Sequence, residues 1–262
     1  MSDAALLFEQ VGPVGWIILN RPKAMNAINL AMIAAFEELL PEIADNDDIR
    51  VLAITGQGPA FCAGADLKEV LASSQLPPGE PDFIDRLTDR VINPLRDFPK
   101  PVIAALNGIT MAGGLEMALC ADIVLATDSA KIGDAHANYG VYPGAGGAAV
   151  LPRIVPLNVA KYLLLTGKTL SAEEMKAYGF VNQVVSGDAL REATQSLAEE
   201  IAAKSPIALR RMKEVANTAG DKSRDAALQH ESVMFRKHMR SYDVTEGLRA
   251  FSEKRSPCFK GY

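Results

Sequence analysis

The sequence predicts an α/β fold in which mostly parallel strands are covered by helices. Three observations support this prediction. Apolar runs of strand length recur before residue 186, and stretches with apolar residues every three or four positions lie between them. The strand-like runs are apolar without alternation, which suits strands that are buried on both faces of a sheet. After Val185 such runs stop and the pattern becomes helical.

The predicted elements follow in chain order. Apolar runs predict strands at residues 16–19, 51–55, 102–106 and 123–126, and a glycine or an asparagine follows each of the first three. Helices are predicted at residues 30–44, 83–95 and 113–120. Residues 72–82 are rich in serine and proline and predict an exposed loop. Residues 187–251 predict a helical layer, interrupted at Ser205-Pro206 and at Gly220.

The composition is that of a globular protein. Of the 262 residues, 48% are hydrophobic and 23% are charged, so the chain is too apolar to remain disordered. A chain of this length buries roughly three quarters of its unfolded surface and needs neither a disulfide nor a metal to hold its core. The 27 basic and 32 acidic residues give a net charge of −5, which argues against a nucleic-acid-binding protein.

Cysteine, histidine and targeting patterns exclude further classes of protein. Cys62, Cys120 and Cys258 are unevenly spaced and the chain has only three histidines, so we predict no disulfide framework and no metal site. The amino terminus lacks a basic start followed by a long apolar run, and no window reaches about 18 consecutive apolar residues. We therefore expect no secretory signal and no membrane span, and a soluble, cytoplasmic protein.

Two strand-to-helix corners carry small residues that let a ligand approach the backbone. The first corner is residues 61–67, where a helix that starts beyond Asp66 would leave nearby backbone N–H groups free to hold an oxyanion. The alternative is a tight turn that Asp66 caps. At the second, Gly113 and Gly114 leave two backbone donors unshielded, and Glu116 lies in the first helical turn. That carboxylate is either an acid–base group or a complement to the helix dipole. Together the two corners could hold one carbonyl oxygen from two directions.

A third segment pairs an aspartate with a histidine. Asp134 and His136 are two positions apart, which in an extended segment puts both side chains on one face, where the carboxylate would orient the imidazole. The alternative is a surface histidine in a loop. The glycine-rich residues 144–147 resemble a phosphate-binding loop only loosely, because no Lys-Ser/Thr pair follows them.

These segments, in this order, resemble the enoyl-CoA hydratase/isomerase (crotonase) family. The resemblance covers essentially the whole chain. It is carried by residues 20–27, 61–68, 100–108, 113–116, 143–147, 164–167 and 250–255.

The resemblance implies a crotonase-like spiral of ββα units followed by a C-terminal helical trimerisation region. On this basis we predict a spiral core with the acyl-CoA site at residues 1–195 and a helical oligomerisation region at residues 196–262. The expected assembly is a homotrimer or a dimer of trimers, with no nucleic acid and no membrane as a partner. No cofactor is implied beyond the coenzyme A of a thioester substrate.

The shared chemistry of the family is stabilisation of a thioester enolate. The resemblance assigns the oxyanion hole to the backbone N–H groups of Ala65 and Gly113. It implies that Glu116 is the glutamate that helps to activate the attacking water. The coenzyme A and acyl contacts that it implies are Lys23, Ala24, Ala63, Asp66, Leu67, Lys68 and Gly114. Phe251 and Lys254 match a pair that often reaches the coenzyme A of a neighbouring subunit.

The sequence departs from the family pattern at the second glutamate, whose position is taken by His136. Residues 148–150 also replace a more polar run. Three interpretations of the histidine remain open. It replaces the glutamate as the proton donor or acceptor at the α-carbon, with Asp134 polarising it. It serves a different reaction, such as hydrolysis or carbon–carbon cleavage of a β-dicarbonyl substrate. Or it is structural.

Two functions of different classes follow from these interpretations. The first is a lyase that hydrates a 2-enoyl-CoA or catalyses the reverse, with a family hydrolase or isomerase that uses His136 as its variant. The second is a non-catalytic acyl-CoA-binding or scaffold protein. A nucleotide-dependent enzyme is less compatible with the sequence, since the glycine-rich segment lacks its lysine.

Overall fold

The computed structural model describes residues 4–73, 77 and 79–262. In this part of the chain the strands are β1 (Leu6–Val11), β2 (Val14–Leu19), β3 (Val51–Gly56), β4 (Ala60–Cys62), β5 (Val102–Leu106), β6 (Ile109–Met111), β7 (Ile123–Thr127), β8 (Lys131–Gly133), β9 (Thr169–Ser171) and β10 (Gln183–Val185). The α-helices are α1 (Leu30–Asp45), α2 (Leu67–Ser73), α3 (Phe83–Leu87), α4 (Asn93–Arg96), α5 (Gly113–Ala118), α6 (Gly147–Ile154), α7 (Leu157–Thr166), α8 (Ala172–Ala177), α9 (Leu190–Ala202), α10 (Pro206–Ala219), α11 (Arg224–His238) and α12 (Tyr242–Glu253). Short 3-10 turns lie at Pro22–Ala24, His136–Tyr139 and Gly187–Ala189, and a π-helical turn at Thr88–Ile92 joins α3 to α4.

The strands form two sheets. The larger has the order β1-β2-β3-β5-β7-β10 and is parallel except for the β1–β2 pair. The smaller has the order β4-β6-β8-β9 and is parallel except for the β8–β9 pair. Each of the pairs β3–β4, β5–β6 and β7–β8 gives one strand to each sheet, and a helix follows β4 and β6 directly. This arrangement confirms the predicted α/β spiral of ββα units.

The central strands of the larger sheet are buried on both faces, which explains their unbroken apolar runs. Along β2, Ile17 and Leu19 join the main core, whereas Val14 and Trp16 join a second cluster beneath α9. Successive side chains of a strand point to opposite faces, so both sets must be apolar. Helix α9 crosses the boundary predicted between residues 195 and 196. It anchors to the sheet through Gln195, whose Oε1 accepts a 2.7 Å hydrogen bond from the Trp16 indole.

The helices that follow α9 expose large apolar side chains. Met212 on α10, Phe235 on α11 and Phe251 on α12 are each at least 60% exposed. The carboxyl-terminal tail folds back onto α12, where the buried Asp243 accepts hydrogen bonds from the backbone N–H groups of Lys260 and Gly261. No described helix is both long and apolar enough to cross a lipid bilayer.

The structure corrects one of the predicted elements. Residues 72 and 73 were predicted to open an exposed loop, but they complete α2. Residues 74–76 and 78 of that predicted loop lie outside the described residues, and residues 79–82 are exposed before α3 begins. The last turn of α2 includes residues 72 and 73, and the Ser73 hydroxyl donates a 2.9 Å hydrogen bond to the Val70 carbonyl in that turn.

Candidate active site

The first small-residue corner and the start of α5 are packed backbone against backbone. A Cβ atom added to Gly114 would lie 2.2 Å from the Cys62 carbonyl oxygen, so no larger residue fits there without movement. Gly64 has φ +113°, a conformation that favours glycine, and a Cβ there would lie 2.9 Å from the Cβ of Ala112. The glycines therefore allow the end of β4 and the beginning of α5 to touch.

This contact brings two backbone amides to one place. A Cβ on Gly113 would lie 3.4 Å from the nitrogen of Ala65, and a Cβ on Gly64 would lie 3.4 Å from the nitrogen of Gly113. Neither amide has an acceptor among the described residues. Ala65 is half-buried and Gly113 is buried. Two adjacent, unpartnered N–H groups in a partly buried corner can stabilise a negatively charged oxygen.

Glu116 lies in the first turn of α5, with 3% of its surface exposed. Its Oε1 accepts hydrogen bonds from the backbone N–H groups of Ala145 at 2.8 Å and Gly147 at 2.9 Å. These bonds fix the carboxylate against the glycine-rich segment and leave Oε2 without a partner among the described residues. One oxygen of Glu116 is thus structural and the other is available to a ligand or a water molecule.

Asp134 and His136 are in contact, but not through the extended segment that the sequence suggested. Ala135, between them, has a left-handed backbone with φ +64°, and His136 begins a 3-10 turn. Asp134 Oδ1 accepts from the backbone N–H of His136 at 3.2 Å and lies 3.0 Å from its Nδ1. A tight turn therefore makes the predicted pairing. In this turn the same carboxylate oxygen accepts the backbone N–H of His136 and orients its imidazole ring.

The surroundings of His136 favour its charged form. Burial by itself lowers the pKa of the imidazole, but the hydrogen bond and charge of Asp134, with a further contribution from Glu116, raise the pKa above its usual range. Asp134 is fully buried, and its Oδ2 has no hydrogen-bond partner among the described residues. A Cβ on Gly147 would lie 2.8 Å from Asp134 Oδ2 and 3.4 Å from Glu116 Oε1, so the two carboxylates share one small region.

Comparisons with known proteins agree with this fold. The profile of the family described as enoyl-CoA hydratase/isomerase matches residues 9–262. The chain belongs to the enoyl-CoA hydratase/isomerase family. It is 35% identical over 255 residues to the (E)-benzylidenesuccinyl-CoA hydratase of Thauera aromatica, covering 95% of this chain and 96% of the relative. It is 37% identical over 248 residues to the 1,2-epoxyphenylacetyl-CoA isomerase of Escherichia coli (strain K12), covering 94% of each chain.

A solved member of the enoyl-CoA hydratase/isomerase family has the same overall fold. The crystal structure of an enoyl-CoA hydratase from Bacillus anthracis superposes with a TM-score of 0.90 at 35% identity, covering 98% of this chain and 100% of that one. Relatives of almost equal identity thus carry the names of a hydratase and of an isomerase. Family membership assigns a common scaffold to this chain and leaves its reaction to be argued from the side chains.

Most of the residues that the family resemblance implies for coenzyme A lie in two segments that are hydrogen-bonded to each other, residues 23–24 with the turn that follows and residues 63–68. Ala63 donates its N–H to the Met25 carbonyl at 3.0 Å, which brings the 3-10 turn Pro22–Ala24 beside the first corner. The predicted residues in this group are Lys23, Ala24, Ala63, Asp66, Leu67, Lys68 and Gly114. The Asp66 carboxylate faces inward, with its Oδ2 3.0 Å from Arg21 Nη2.

Phe251 and Lys254 belong to a different part of the surface. Phe251 is 86% exposed and Lys254 ends α12 in a left-handed conformation. A side chain with so much exposed surface fills no pocket in its own chain. The single chain therefore does not join these two predicted residues to the rest of the site.

Cys62 stands beside the two amides but is not a candidate nucleophile. It is fully buried, and burial raises the pKa of its thiol to about 12 despite an opposing hydrogen bond with Gly64. The neutral thiol is a poor nucleophile. Within the described residues, no group of three or more histidine, cysteine, aspartate or glutamate side chains is arranged to hold a metal ion.

Sequence reasoning missed two side chains that shape this site, Arg21 and Asn26. Both belong to a segment that carried the family resemblance, but neither was assigned a role. Asn26 is fully buried and adopts a left-handed backbone with φ +55°, which is uncommon outside glycine. The sequence signal that points to it is an asparagine four residues after a proline turn, where a side-chain amide can serve as a structural hydrogen-bonding centre.

Proposed function

We propose that this protein is an enoyl-CoA hydratase-like enzyme, which hydrates a 2-enoyl-CoA or catalyses the reverse reaction through a stabilised thioester enolate. One observation carries the proposal: the unpartnered amides of Ala65 and Gly113 lie side by side, and Glu116 is in the first turn of the helix that Gly113 begins. The relatives described above are named for reactions of coenzyme A thioesters, which supports a substrate of that class.

The two amides act on the carbonyl oxygen of the thioester. In the ground state the oxygen accepts hydrogen bonds from the N–H groups of Ala65 and Gly113. When the β-carbon is attacked, charge moves onto that oxygen and both bonds strengthen. Loss of one such donor typically costs about 3 kcal/mol in the transition state, so these amides supply the largest catalytic contribution.

Glu116 and His136 handle water and protons. Glu116 Oε1 is held by two backbone N–H groups, so Oε2 is the oxygen that binds water and directs it at the β-carbon. His136 donates or accepts the proton at the α-carbon through Nε2, because its Nδ1 is engaged by Asp134. General acid–base groups of this kind contribute about 10²- to 10⁴-fold each.

The pairing of His136 with Asp134 also supports a second candidate reaction. A histidine whose Nδ1 is held by a buried carboxylate is a suitable general base for water. Water activated in this way could attack a carbonyl carbon, which is hydrolysis or carbon–carbon cleavage of a β-dicarbonyl thioester. An isomerase would use the same enolate and move a proton without water. A non-catalytic acyl-CoA-binding protein would use the two amides to bind the thioester and would need no acid–base group.

The coenzyme A portion of the substrate is proposed to lie along residues 23–24 and 63–68, and no further cofactor is needed because the amides polarise the carbonyl. Phe251 and Lys254 are proposed to contact the coenzyme A of a neighbouring subunit in a trimer or a dimer of trimers. The exposed apolar side chains of α10, α11 and α12 support such an assembly.

A turnover assay with Glu116→Gln and His136→Ala tests the proposal. Loss of the conjugated enoyl absorbance of 2-butenoyl-CoA and of longer 2-enoyl-CoA esters is followed, with exposed Glu173→Gln and half-exposed His230→Ala as matched controls. We expect Glu116→Gln to lower kcat by about 10²- to 10⁴-fold and His136→Ala by at least tenfold, while the controls keep normal activity.

Each alternative outcome has a distinct meaning. Full hydratase activity in His136→Ala would remove this residue from the mechanism. Activity on β-dicarbonyl thioesters but not on 2-enoyl-CoA esters would favour the second candidate. Tight binding of acyl-CoA in calorimetry, without turnover of any ester tested, would favour the non-catalytic function.

A further inference from the structure

The segment that carries the Ala65 amide is held at its beginning by a buried asparagine. Asn26 Nδ2 donates to the carbonyl oxygens of Gln57 at 2.9 Å and Ala60 at 2.7 Å. Its Oδ1 accepts the backbone N–H of Arg21 at 2.8 Å. Both N–H donors of the side-chain amide thus hold the turn that leads into β4, and its oxygen connects that turn to Arg21.

The same segment is held at its end by an arginine. Arg21 Nη2 lies 3.0 Å from Asp66 Oδ2, and Arg21 Nη1 donates to the Ala27 carbonyl. The two side chains of the ion pair are 23% and 19% exposed, so solvent screens it only partly. The planar guanidinium of Arg21 therefore holds the carbonyl of residue 27 and the carboxylate of residue 66 at a fixed separation.

The direction of the Ala65 N–H follows from the backbone pairing of its segment with Ile28. Ile28 donates to the Gly64 carbonyl at 2.8 Å, and its own carbonyl accepts from Asp66 at 2.7 Å. In such a parallel bridge the residue between the two bonded neighbours directs its own N–H away from the partner strand. For Ala65 that direction leaves the amide free, beside the nitrogen of Gly113.

We propose that Arg21 and Asn26 are positioning residues that aim the Ala65 amide at the thioester carbonyl oxygen. This inference rests on the proposed function, in which that amide is half of the oxyanion hole. Neither side chain needs to touch the reacting atoms. Arg21 sets the orientation by fixing Asp66, and Asn26 sets the position by fixing the entry to β4.

The inference has a testable energetic consequence. A hydrogen bond to a developing oxyanion depends steeply on distance and angle, and a displacement of about 1 Å can cost up to about 100-fold in rate. Removing the Arg21 contacts should therefore lower kcat by about ten- to 100-fold. Binding of coenzyme A thioesters should change less than kcat, because most of the ligand lies outside the hole.

The experiment measures the carbonyl directly. Butanoyl-CoA labelled with ¹³C at the thioester carbonyl has no double bond to hydrate, and its bound C=O stretch is recorded by isotope-edited infrared spectroscopy. In the wild-type enzyme we expect the band to move to lower frequency than in solution. In Arg21→Gln it should return most of the way to the solution value, with a dissociation constant within about threefold of wild type.

Further variants separate positioning from folding. Arg191→Gln removes an arginine–glutamate pair with Glu9 on the other face of the sheet, and it should leave the band unchanged. Arg21→Lys keeps the charge opposite Asp66 but not both hydrogen bonds, so an intermediate band is expected. Asp66→Asn should reproduce the effect of Arg21→Gln, whereas Asn26→Asp is expected to fold less stably because Asn26 is fully buried.

Three results distinguish the hypotheses. A wild-type shift that Arg21→Gln abolishes supports the inference. A wild-type shift that persists in Arg21→Gln and Asp66→Asn overturns the inference and leaves the proposed function intact. No shift in the wild-type enzyme with bound ester overturns both. A purely structural role for Arg21 would lower the melting temperature without moving the band of the folded protein.

Discussion

At the scale of single residues, the ionisation of His136 is set by Asp134. The carboxylate is buried, accepts two hydrogen bonds on one oxygen and leaves the other oxygen unpartnered. A buried carboxylate with unused capacity is costly, and a positive charge on the nearby imidazole offsets that cost. The charge of Asp134 therefore governs the protonation of His136.

The first prediction follows from this coupling. Asp134→Asn keeps the shape of the side chain but removes the charge that raises the pKa of His136. In a pH profile of kcat/KM, the limb controlled by His136 should move to lower pH. Exposed Asp188→Asn is the control and should leave the limb in place. An unmoved limb in Asp134→Asn would contradict a role for the pair in proton transfer.

The same pKa shift has a consequence for stability. The pKa of His136 is higher in the folded protein than its ordinary value of 6.5. The imidazolium therefore stabilises the fold fully below that ordinary value, and this contribution is lost as the pH rises through the higher, folded pKa. The melting temperature of Asp134→Asn should consequently vary less with pH in this window than that of the wild type.

At the scale of elements, the proposed oxyanion hole depends on how closely β4 approaches α5. The second prediction concerns Gly114→Ala, whose new Cβ would meet the Cys62 carbonyl oxygen at 2.2 Å and the Cβ of Cys62 at 2.8 Å. The two elements must separate, which should lower the free energy of unfolding by about 1–3 kcal/mol and move the Gly113 amide away from Ala65. We expect at least a tenfold loss of kcat.

Gly187→Ala is the matched control for this substitution, because nothing lies within 4 Å of the Cβ that it adds. Urea unfolding and the enoyl-CoA assay are measured for both variants. If Gly114→Ala kept normal kcat while losing stability, the close approach of the two elements would serve folding alone.

The strands that are buried on both faces were predictable from sequence, whereas the three-residue strands and the largely exposed edge strand β1 were not. Strands β2, β3, β5 and β7 are apolar on both faces, so each stood out as an apolar run. Strands β4, β6, β8 and β9 have three residues each, too few to show a period, yet β4 and β6 lead into the two corners of the site. The helices α6, α7 and α8 also went unpredicted.

The candidate site was predictable where chemistry depends on small residues near one another in sequence. Ala65, Gly113 and Glu116 were named from local patterns and family resemblance, and the structure places the first two side by side and the third in the first turn of α5. The functions proposed for Asn26 and Arg21 were not predictable, because their partners are carbonyls and a carboxylate up to 45 positions away. Only the topology of the spiral makes those distances short.

At the scale of the whole molecule, the two predicted residues on α12 are proposed to serve the site of a neighbouring chain. Phe251 is almost fully exposed on α12, while Ala65 and Gly113 lie at the sheets. The tail that follows α12 is fixed by Glu246, whose carboxylate pairs with Arg255 at 2.6 Å and accepts the N–H of Cys258 at 2.9 Å. The end of α12 is therefore held in place, as the proposed presentation of Phe251 to a second chain requires.

The third prediction tests this presentation. Phe251→Ala should raise KM for a 2-enoyl-CoA severalfold with little change in kcat, because the side chain is proposed to contact coenzyme A and not the reacting atoms. The melting temperature should hardly change, since an exposed side chain contributes little to folding. Sedimentation should give three or six chains for wild type and variant. Leu165→Ala, at a residue that is 78% exposed on α7, is the control.

The unpartnered state of the two amides also fixes their rates of deuterium uptake. Ala63 and Asp66, on either side of Ala65, donate their N–H groups to backbone carbonyls and are therefore shielded from exchange. The N–H of Ala65 has no such acceptor among the described residues. Exchange of hydrogen for deuterium should therefore be fast at Ala65 and Gly113 within otherwise slow-exchanging surroundings. Any ligand that seats an oxygen there should slow both positions together, so occupancy of the hole can be followed without turnover.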